Sequence, residues 1–429
     1  MGSSTPERPH LSRRRFGAAA VGALSAVTVA GDAVAATAGA AGRPDGYGHG
    51  HGRHRQMRGS WVATVANIDW PVRQGLSAAE QQRQLLARLD EAADRNLNTV
   101  VFQARPTADA MWPSRYEPWS EWLSGTQGVD PGWDPLGFAV REAHRRGLEL
   151  HAWFNPYRVR NDAHAEKLVP DHPVNRHPEW AVPYGGKIYY NPGIPAVRRF
   201  VQKCILDAVR RYDIDAVHFD DYFYPYPVGG EEFADEETYQ RYGGGFADKA
   251  DWRRNNIDLL IAELGRAIKR TRRKVQFGVS PFAIWRNAAT DPEGSDTRAG
   301  VETYDDLYAD TRRWVRERWI DYIVPQVYWN IGFEVADYAK LVPWWNDVVA
   351  GTGVNLYIGE ALYKVGAAGQ PEAWFDPAEL SRHLSFCEGY PEVQGNMYFS
   401  AKLLPQDPLG AVSRLVADHY GERVRPPRC

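Results

Sequence analysis

The sequence predicts an α/β protein: one (β/α)8 barrel of the TIM type, carrying long loops. Three observations lead there. Eight short β-rich runs follow one another along the chain. Helical patterns fill nearly every gap between them, which is the signature of parallel βαβ units. Polar and aromatic residues recur at the C-terminal ends of successive runs, where such barrels place their active sites.

The first run is "GSWVATVAN" (59–67). The amphipathic pattern "SAAEQQRQLLARLDEAADRNL" follows, with Ser77 as its N-cap and Glu80 three residues on. "NTVVFQARP" (98–106) and "LELHAWFNPYR" (148–158) flank the helical "DPLGFAVREAHRRG", which ends at Gly147. "PAVRRFVQKCILDAVRRYD" opens on Pro195 and leads into "AVHFDDYFYP" (216–225). The remaining runs are "KVQFGVSPF" (274–282), "IDYIVPQVYW" (320–329), "NLYIGEALYK" (355–364) and "GNMYFSAKLL" (395–404), each preceded by a helical pattern. "DPLGAVSRLVADHY" is a last helix. A doubly wound sheet with a small second domain is the alternative. It is disfavoured because no Gly-rich phosphate or dinucleotide loop follows the first run.

The N-terminus reads as an address. Ser12, Arg13, Arg14, Arg15 and Phe16 precede an Ala/Gly-rich run, and Ala33-Val34-Ala35 forms an A-x-A cleavage site. Residues 1–35 are therefore expected to be a twin-arginine export signal, 36–56 a flexible linker and 57–429 the barrel. The expected location is outside the cell or at its wall. The apolar run is too short and too Gly-rich to span a membrane, and no later segment could span one. Cys204, Cys387 and Cys429 do not read as a disulfide framework.

Composition narrows the partners. Over 429 residues, 44% are hydrophobic and 24% charged, which is ordinary for a folded globular chain. A formal charge of -3 gives no field that would gather nucleic acid. The 16 Trp and 22 Tyr lie largely beside Pro, Gly, Asn and Asp, as loop anchors or as stacking surfaces for sugars. A monomer with a glycan ligand is expected, without cofactor or metal. His151 and His218 lack a close-spaced ligand pair.

The candidate site collects at the strand ends. Arg105 and Asp109 follow the second run, Asn155 and Arg158 close the third, and Gln326, Tyr328 and Asn330 close the sixth. Glu360 lies on the seventh. The fourth ends in Asp220 and Asp221. Residues two apart share a face of a strand, so His218 and Asp220 should face the barrel axis, and Val217 and Phe219 the helices. A cleft rich in aromatics with paired carboxylates suggests glycoside hydrolysis, in which one carboxylic acid protonates the leaving oxygen and a second carboxylate is nucleophile or base. Asp220 is the candidate acid. Burial or the like charge of Asp221 would raise its pKa, as that role requires. Glu360, across the barrel, is the candidate second carboxylate, with Asp221 as the alternative. A carboxyl separation of about 5–5.5 Å would imply retention and about 6.5–9.5 Å inversion. Competing structural roles are a salt bridge from Arg105 to Asp220, a salt bridge at Glu360, and a hydrogen-bonded core position for His218. Arg105 and Arg158 could equally grip a substrate carboxylate.

Six segments, "RGSWVATVANIDWP", "VVFQARPTADAMWPSRYEPWS", "HAWFNPYR", "YYNPGIPAVRRF", "VHFDDYFYP" and "VPQVYWN", resemble in order the signature blocks of the glycosyl-hydrolase-like family ten proteins of the bacterial envelope. The resemblance runs from about Met57 to about Ser400. It implies a (β/α)8 hydrolase acting on glycans, with relatives associated with peptidoglycan, including strands stripped of their stem peptides. Asp220 and Asp221 match the family's acidic pair, and Arg105, Asp109, Asn155 and Arg158 its polar blocks. Glu360 has no counterpart role to carry over; if it is not the second carboxylate, Asp109, Glu117 or Asp221 is. The long segments after the second and third runs should wall the cleft, the latter turning as a hairpin at Gly185-Gly186. Trp112, Trp119, Trp180, Tyr224, Tyr328 and Trp329 are candidate stacking platforms. Other readings are a hydrolase of a plant, fungal or exopolysaccharide glycan, and a glycan-binding barrel without catalysis.

Overall fold

The computed structural model describes residues 55–427. The expected export signal and residues 36–54 of the expected linker lie outside the described residues. Arg55 and Gln56, at the linker's end, already pair with Arg425.

Eleven strands form among the described residues: β1 (Met57–Val62), β2 (Thr99–Arg105), β3 (Glu149–Phe154), β4 (Arg158–Arg160), β5 (Ala181–Tyr184), β6 (Lys187–Tyr190), β7 (Ala216–Phe219), β8 (Gln276–Val279), β9 (Tyr322–Ile323), β10 (Asn355–Glu360) and β11 (Val393–Tyr398). Eight close into a barrel in the order β1-β2-β3-β7-β8-β9-β10-β11, with β11 beside β1 and every pairing parallel. These are the eight runs of the sequence, in order. Most end earlier than the runs that announced them, because the residues beyond the ladder are the loops that carry the site.

Two strands show why. The third run divides at Asn155–Tyr157, and its tail becomes β4 of a separate antiparallel sheet, β4-β6-β5. The sixth run keeps only two ladder residues, since Pro325 has no N–H to donate. Gln326 beyond it makes single bridges to Phe282 and Gly359. The β5–β6 hairpin turns at Gly185 and Gly186, both at positive φ (56° and 68°), as a two-residue turn of the primed type requires.

The helices start where the caps dictate. Ser77 accepts from Glu80 N–H at the start of Ala78–Asp94, and Asp134 caps Pro135–Arg145. Pro195 opens Pro195–Arg211, and Asp248 caps Lys249–Thr271. No helix among the described residues is long and apolar enough to cross a membrane. Cys204 and Cys387 are buried in two different helices.

The core has two parts. Between strands and helices lies one large apolar layer, which includes Val217 and Phe219. Inside the barrel lies a smaller one built from Met57, Trp61, Trp153, Ala216, Tyr322 and Tyr357, among others. The alternation along β7 is therefore as expected. The interior is also polar: the Tyr322 hydroxyl bonds His151 Nδ1 (2.9 Å) and His218 Nδ1 (3.0 Å). Gly278 on β8 makes room for it, since a Cβ there would lie 2.0 Å from the Tyr322 ring.

Candidate active site

Asp220 and Asp221 are the first two residues beyond β7. Asp220 is 5% exposed and Asp221 half-buried. Their side chains are held from opposite flanks. Asp220 Oδ2 accepts from Asn155 Nδ2 (2.5 Å), on the β3 side, and Oδ1 accepts from Tyr222 N–H (3.2 Å). Asp221 Oδ1 accepts from Gln326 Nε2 (3.1 Å), on the β9 side, and Oδ2 accepts from the Tyr226 hydroxyl.

The amides that hold them are themselves oriented. Gln103 Oε1 accepts from Thr64 N–H and Val65 N–H (2.9 Å each), so its Nε2 must donate, and it does so to Asn155 Oδ1 (2.7 Å). That leaves the Asn155 amide nitrogen for Asp220. Gln326 Nε2 also donates to Ser280 O (2.9 Å). A relay of neutral groups thus runs from the β1 loop through β2 and β3 to the acid on β7.

Neutral partners set the electrostatics. Burial first, and the adjacent Asp221 second, push the Asp220 carboxyl up to about 7. Arg158 and Asn155 pull it down without cancelling that. Burial also raises Asp221, against its bonds from Tyr226 and Gln326. Arg158 is buried, donates from Nε to Pro106 O (3.1 Å) and lies 4.9 Å over the Tyr222 ring. It keeps its charge near both acids without being their salt-bridge partner.

Below Asp220, His218 is fully buried in the barrel floor. Its Nε2 accepts from Trp61 Nε1 (3.2 Å) and meets Ser280 Oγ (2.9 Å), so its Nδ1–H donates to Tyr322. Burial and then His151 hold its pKa well below the ordinary value, and the ring is neutral. His218 therefore supports the site from below in a hydrogen-bonded core position and is not a substrate-contacting side chain. On the β9 side, Tyr328 meets Tyr363 at 5.8 Å, and its carbonyl accepts from Lys364 Nζ (2.6 Å). Burial lowers Lys364 to about 8.

Glu360 is corrected most firmly. It shares a strand face with Leu356 and Ile358, and it points out of the barrel into the helix layer. There it is fully buried. Oε1 accepts from the Tyr338 hydroxyl and Asn396 Nδ2 (2.8 Å each), and Oε2 meets His383 Nδ1 (2.8 Å). It cannot meet a sugar from there.

Arg105 is also withdrawn from substrate. It forms a fully buried bidentate pair with Glu117 (2.5 and 2.7 Å), and its other nitrogen donates to the carbonyls of Asn155 and Pro156. It fixes the loop that carries Asn155, and it removes Glu117 as a second carboxylate. Asp109 is buried in its own turn, accepting from Thr107 N–H and Oγ1 (3.1 Å each), and burial raises it to about 7. Trp112 is core: its Nε1 donates to Asp207 (3.1 Å) and its ring packs on Phe154. Tyr224 is core too, between Phe233 and Tyr308. Asn330 is buried and donates to Ile331 O (2.9 Å), turned into its own loop.

Asn155, Arg158, Asp220, Asp221, Gln326 and Tyr328 therefore gather at one place. Sequence reasoning missed Tyr226, Tyr222 and Trp153 as members of it. Trp153 was reachable by alternation, since it lies two residues before Asn155, and its Nε1–H is buried without a protein acceptor. Tyr226 carried no such signal, because it returns to Asp221 through an irregular loop.

Comparisons with known proteins bear on the fold and the family. Residues 56–376 match the model of the family described as Glycosyl hydrolase-like 10. The chain is 49% identical over 376 residues to glycosyl hydrolase YngK of Bacillus subtilis (strain 168), covering 87% of this chain and 74% of that one. It is 42% identical over 363 residues to glycosyl hydrolase DigH of Escherichia coli (strain K12), covering 80% and 82%. Among solved structures, the fold is like that of the PgaB (BpsB) glycoside hydrolase domain from Bordetella bronchiseptica, with a TM-score of 0.58, 14% identity, and 85% of this chain and 98% of that one covered. The chain belongs to the Glycosyl hydrolase-like 10 family, and it is a glycoside hydrolase on a closed (β/α)8 barrel.

Proposed function

We propose that this glycoside hydrolase is exported by the twin-arginine route, works as a monomer outside the cell or at its wall, and cuts cell-wall glycan, specifically peptidoglycan strands freed of their stem peptides. The observation that carries the mechanistic part is the carboxyl of Asp220, buried among neutral amides beside a second carboxylate and raised to about 7. Such a group holds a proton at neutral pH and gives it to a leaving glycosidic oxygen, which is what general acid catalysis needs. Asp221 is the second carboxylate. Arg158, Gln326, Tyr328 and the indole N–H of Trp153 supply the polar contacts and apolar surface for a sugar. The substrate assignment is supported by the family resemblance to envelope proteins and by the Arg-Arg-Phe signal before an A-x-A site.

The test is product analysis by mass spectrometry. Mature protein and its Asp220→Asn variant are given intact peptidoglycan, amidase-stripped peptidoglycan and chitin oligomers. Stripped strands cut by the wild type and spared by the variant are the expected result. Cleavage of an unrelated polysaccharide alone would overturn the cell-wall assignment and leave the hydrolase standing.

A further inference from the structure

We propose that the nucleophile is supplied by the substrate: the 2-acetamido oxygen of the sugar attacks its own anomeric carbon, and Asp221 holds the amide N–H while it does so. This rests on the amino-sugar reading above and deepens it.

The first observation is where the other acids go. Attack on the sugar face opposite the leaving group requires a carboxylate, or a carboxylate-bound water, on the far side of the ring from the acid. Among the described residues at this end of the barrel, the acids that could supply it are engaged elsewhere. Glu360 faces the helices. Glu117 is locked to Arg105, and Asp109 is locked into its turn. Asp69, beyond β1, is buried on Ala63 N–H (2.8 Å), Ser400 Oγ (2.6 Å) and Lys402 N–H (3.0 Å). Asp220 and Asp221 remain, and as consecutive residues on one strand end they approach a bound sugar from one side.

The second observation is how that pair is splayed. Asp220 leans to Asn155 on β3, and Asp221 leans to Gln326 beyond β9. Two carboxyls from neighbouring residues, held apart in this way, match two neighbouring substituents of one ring. An amino sugar offers such a pair: the glycosidic oxygen on C1 and the acetamido nitrogen on C2. Asp221 is the more exposed of the two, and its partners, Tyr226 and Gln326, are donors that favour its carboxylate form. A carboxylate there accepts the N–H and turns the acetamido oxygen toward C1.

The chemistry balances. Asp220 gives its proton to the glycosidic oxygen as the C1–O bond breaks. The acetamido oxygen bonds to C1, and the N–H proton passes to Asp221, leaving a neutral oxazoline. Water then adds to C1 and gives a proton to Asp220. The C1–oxazoline oxygen bond breaks, and Asp221 returns its proton to nitrogen. The two displacements retain configuration at C1.

The experiment uses stripped glycan strands that are N-deacetylated and then left as free amines, re-acetylated, or trifluoroacetylated. Trifluoroacetylation should slow wild-type cleavage at least about tenfold, free-amine strands should not be cut, and the first product should have the retained anomer by NMR. A thiazoline analogue of the oxazoline should bind wild type at least about tenfold more tightly than Asp221→Asn. Free-amine strands cut as fast as acetylated ones, an inverted product, or a glycosyl-enzyme adduct by mass spectrometry would overturn the inference and leave the cell-wall reading intact. Cleavage confined to sugars without an N-acyl group would overturn both. Should Asp221→Asn fail to fold, the wild-type acyl series and the product anomer still decide.

Discussion

The acids at the ends of β7 and β10 are both buried, both hydrogen-bonded, and opposite in consequence. Asp220 and Asp221 are held by amides, a phenol and a backbone N–H, all neutral. Glu360 is held by a phenol, an amide and His383, whose other nitrogen meets Glu379 (3.3 Å). Burial pulls the pKa of His383 down, but Glu360 and Glu379 outweigh it and the net shift is upward. That cluster favours the protonated form of His383 between two acidic side chains and is a closed hydrogen-bonded network. The β7 pair has only Arg158 nearby, unbonded to either acid, so the protonated form of Asp220 stays within reach of neutral pH. Between these two sites, what separates the acid that can trade a proton from the one that braces the fold is the charge of its partners. Depth of burial does not separate them.

The largest effect should come from breaking the β7 side. Asp220→Asn should cut kcat by about 10³-fold with the fold intact, since a positioned general acid contributes about 10²–10⁴. Turnover of stripped glycan together with circular dichroism checks this. Breaking the β10 side should do the reverse. Glu360→Gln leaves His383 and Asn396 with a weaker partner, so stability should fall by about 3 kcal/mol in a denaturant titration. Turnover per folded molecule should stay within about twofold. A Glu360→Gln protein of unchanged stability and lost activity would erase the contrast.

The same contrast explains how much was legible beforehand. All eight barrel strands were readable because each alternates or runs apolar between helical patterns. The alternation rule placed His218 and Asp220 inside the barrel and Val217 and Phe219 outside. Applied to β10, the rule sets Glu360 with Leu356 and Ile358, against the helices. Its position at a strand's C-terminal end suggests the cleft, and the alternation overrides that position. Arg105 lies beyond a register shift in the β2–β3 ladder, and its partner Glu117 comes from a long loop. Neither feature has a period to read. Trp112 and Tyr224 could be core or cleft on composition alone. Tertiary packing decided, and it put both in the core.

A smaller expected effect tests the one charge near the pair. Arg158 lowers the pKa of Asp220 and of Asp221. Arg158→Gln should therefore move the alkaline limb of kcat/KM, expected near pH 7 in the wild type, to higher pH. A limb that stays in place would mean that Asp220 is not the group it reports.

The last effect turns the proposed catalytic role of Asp220 into a stability cost. In the folded protein its carboxyl is raised from 3.8 to about 7. A group raised in this way favours the fold fully below its unfolded pKa, and that contribution is lost as pH climbs through the folded pKa. Between about pH 4 and 7 the wild type should therefore lose stability on this account, and above about 7 it carries a buried charge beside Asp221. Asn at position 220 has the shape of the protonated acid and never takes that charge. Asp220→Asn should accordingly melt higher than wild type at pH 8 and close to it at pH 4.5. The gap at pH 8 has an upper bound of about 4 kcal/mol, set by roughly three pKa units at about 1.36 kcal/mol each and reduced by relaxation of Asp221. Thermal midpoints at the two pH values measure it. A gap of the same size at both would trace to packing and not to the proton. An inactive variant that gains stability only above neutrality would show that the site keeps its acid at the expense of the fold.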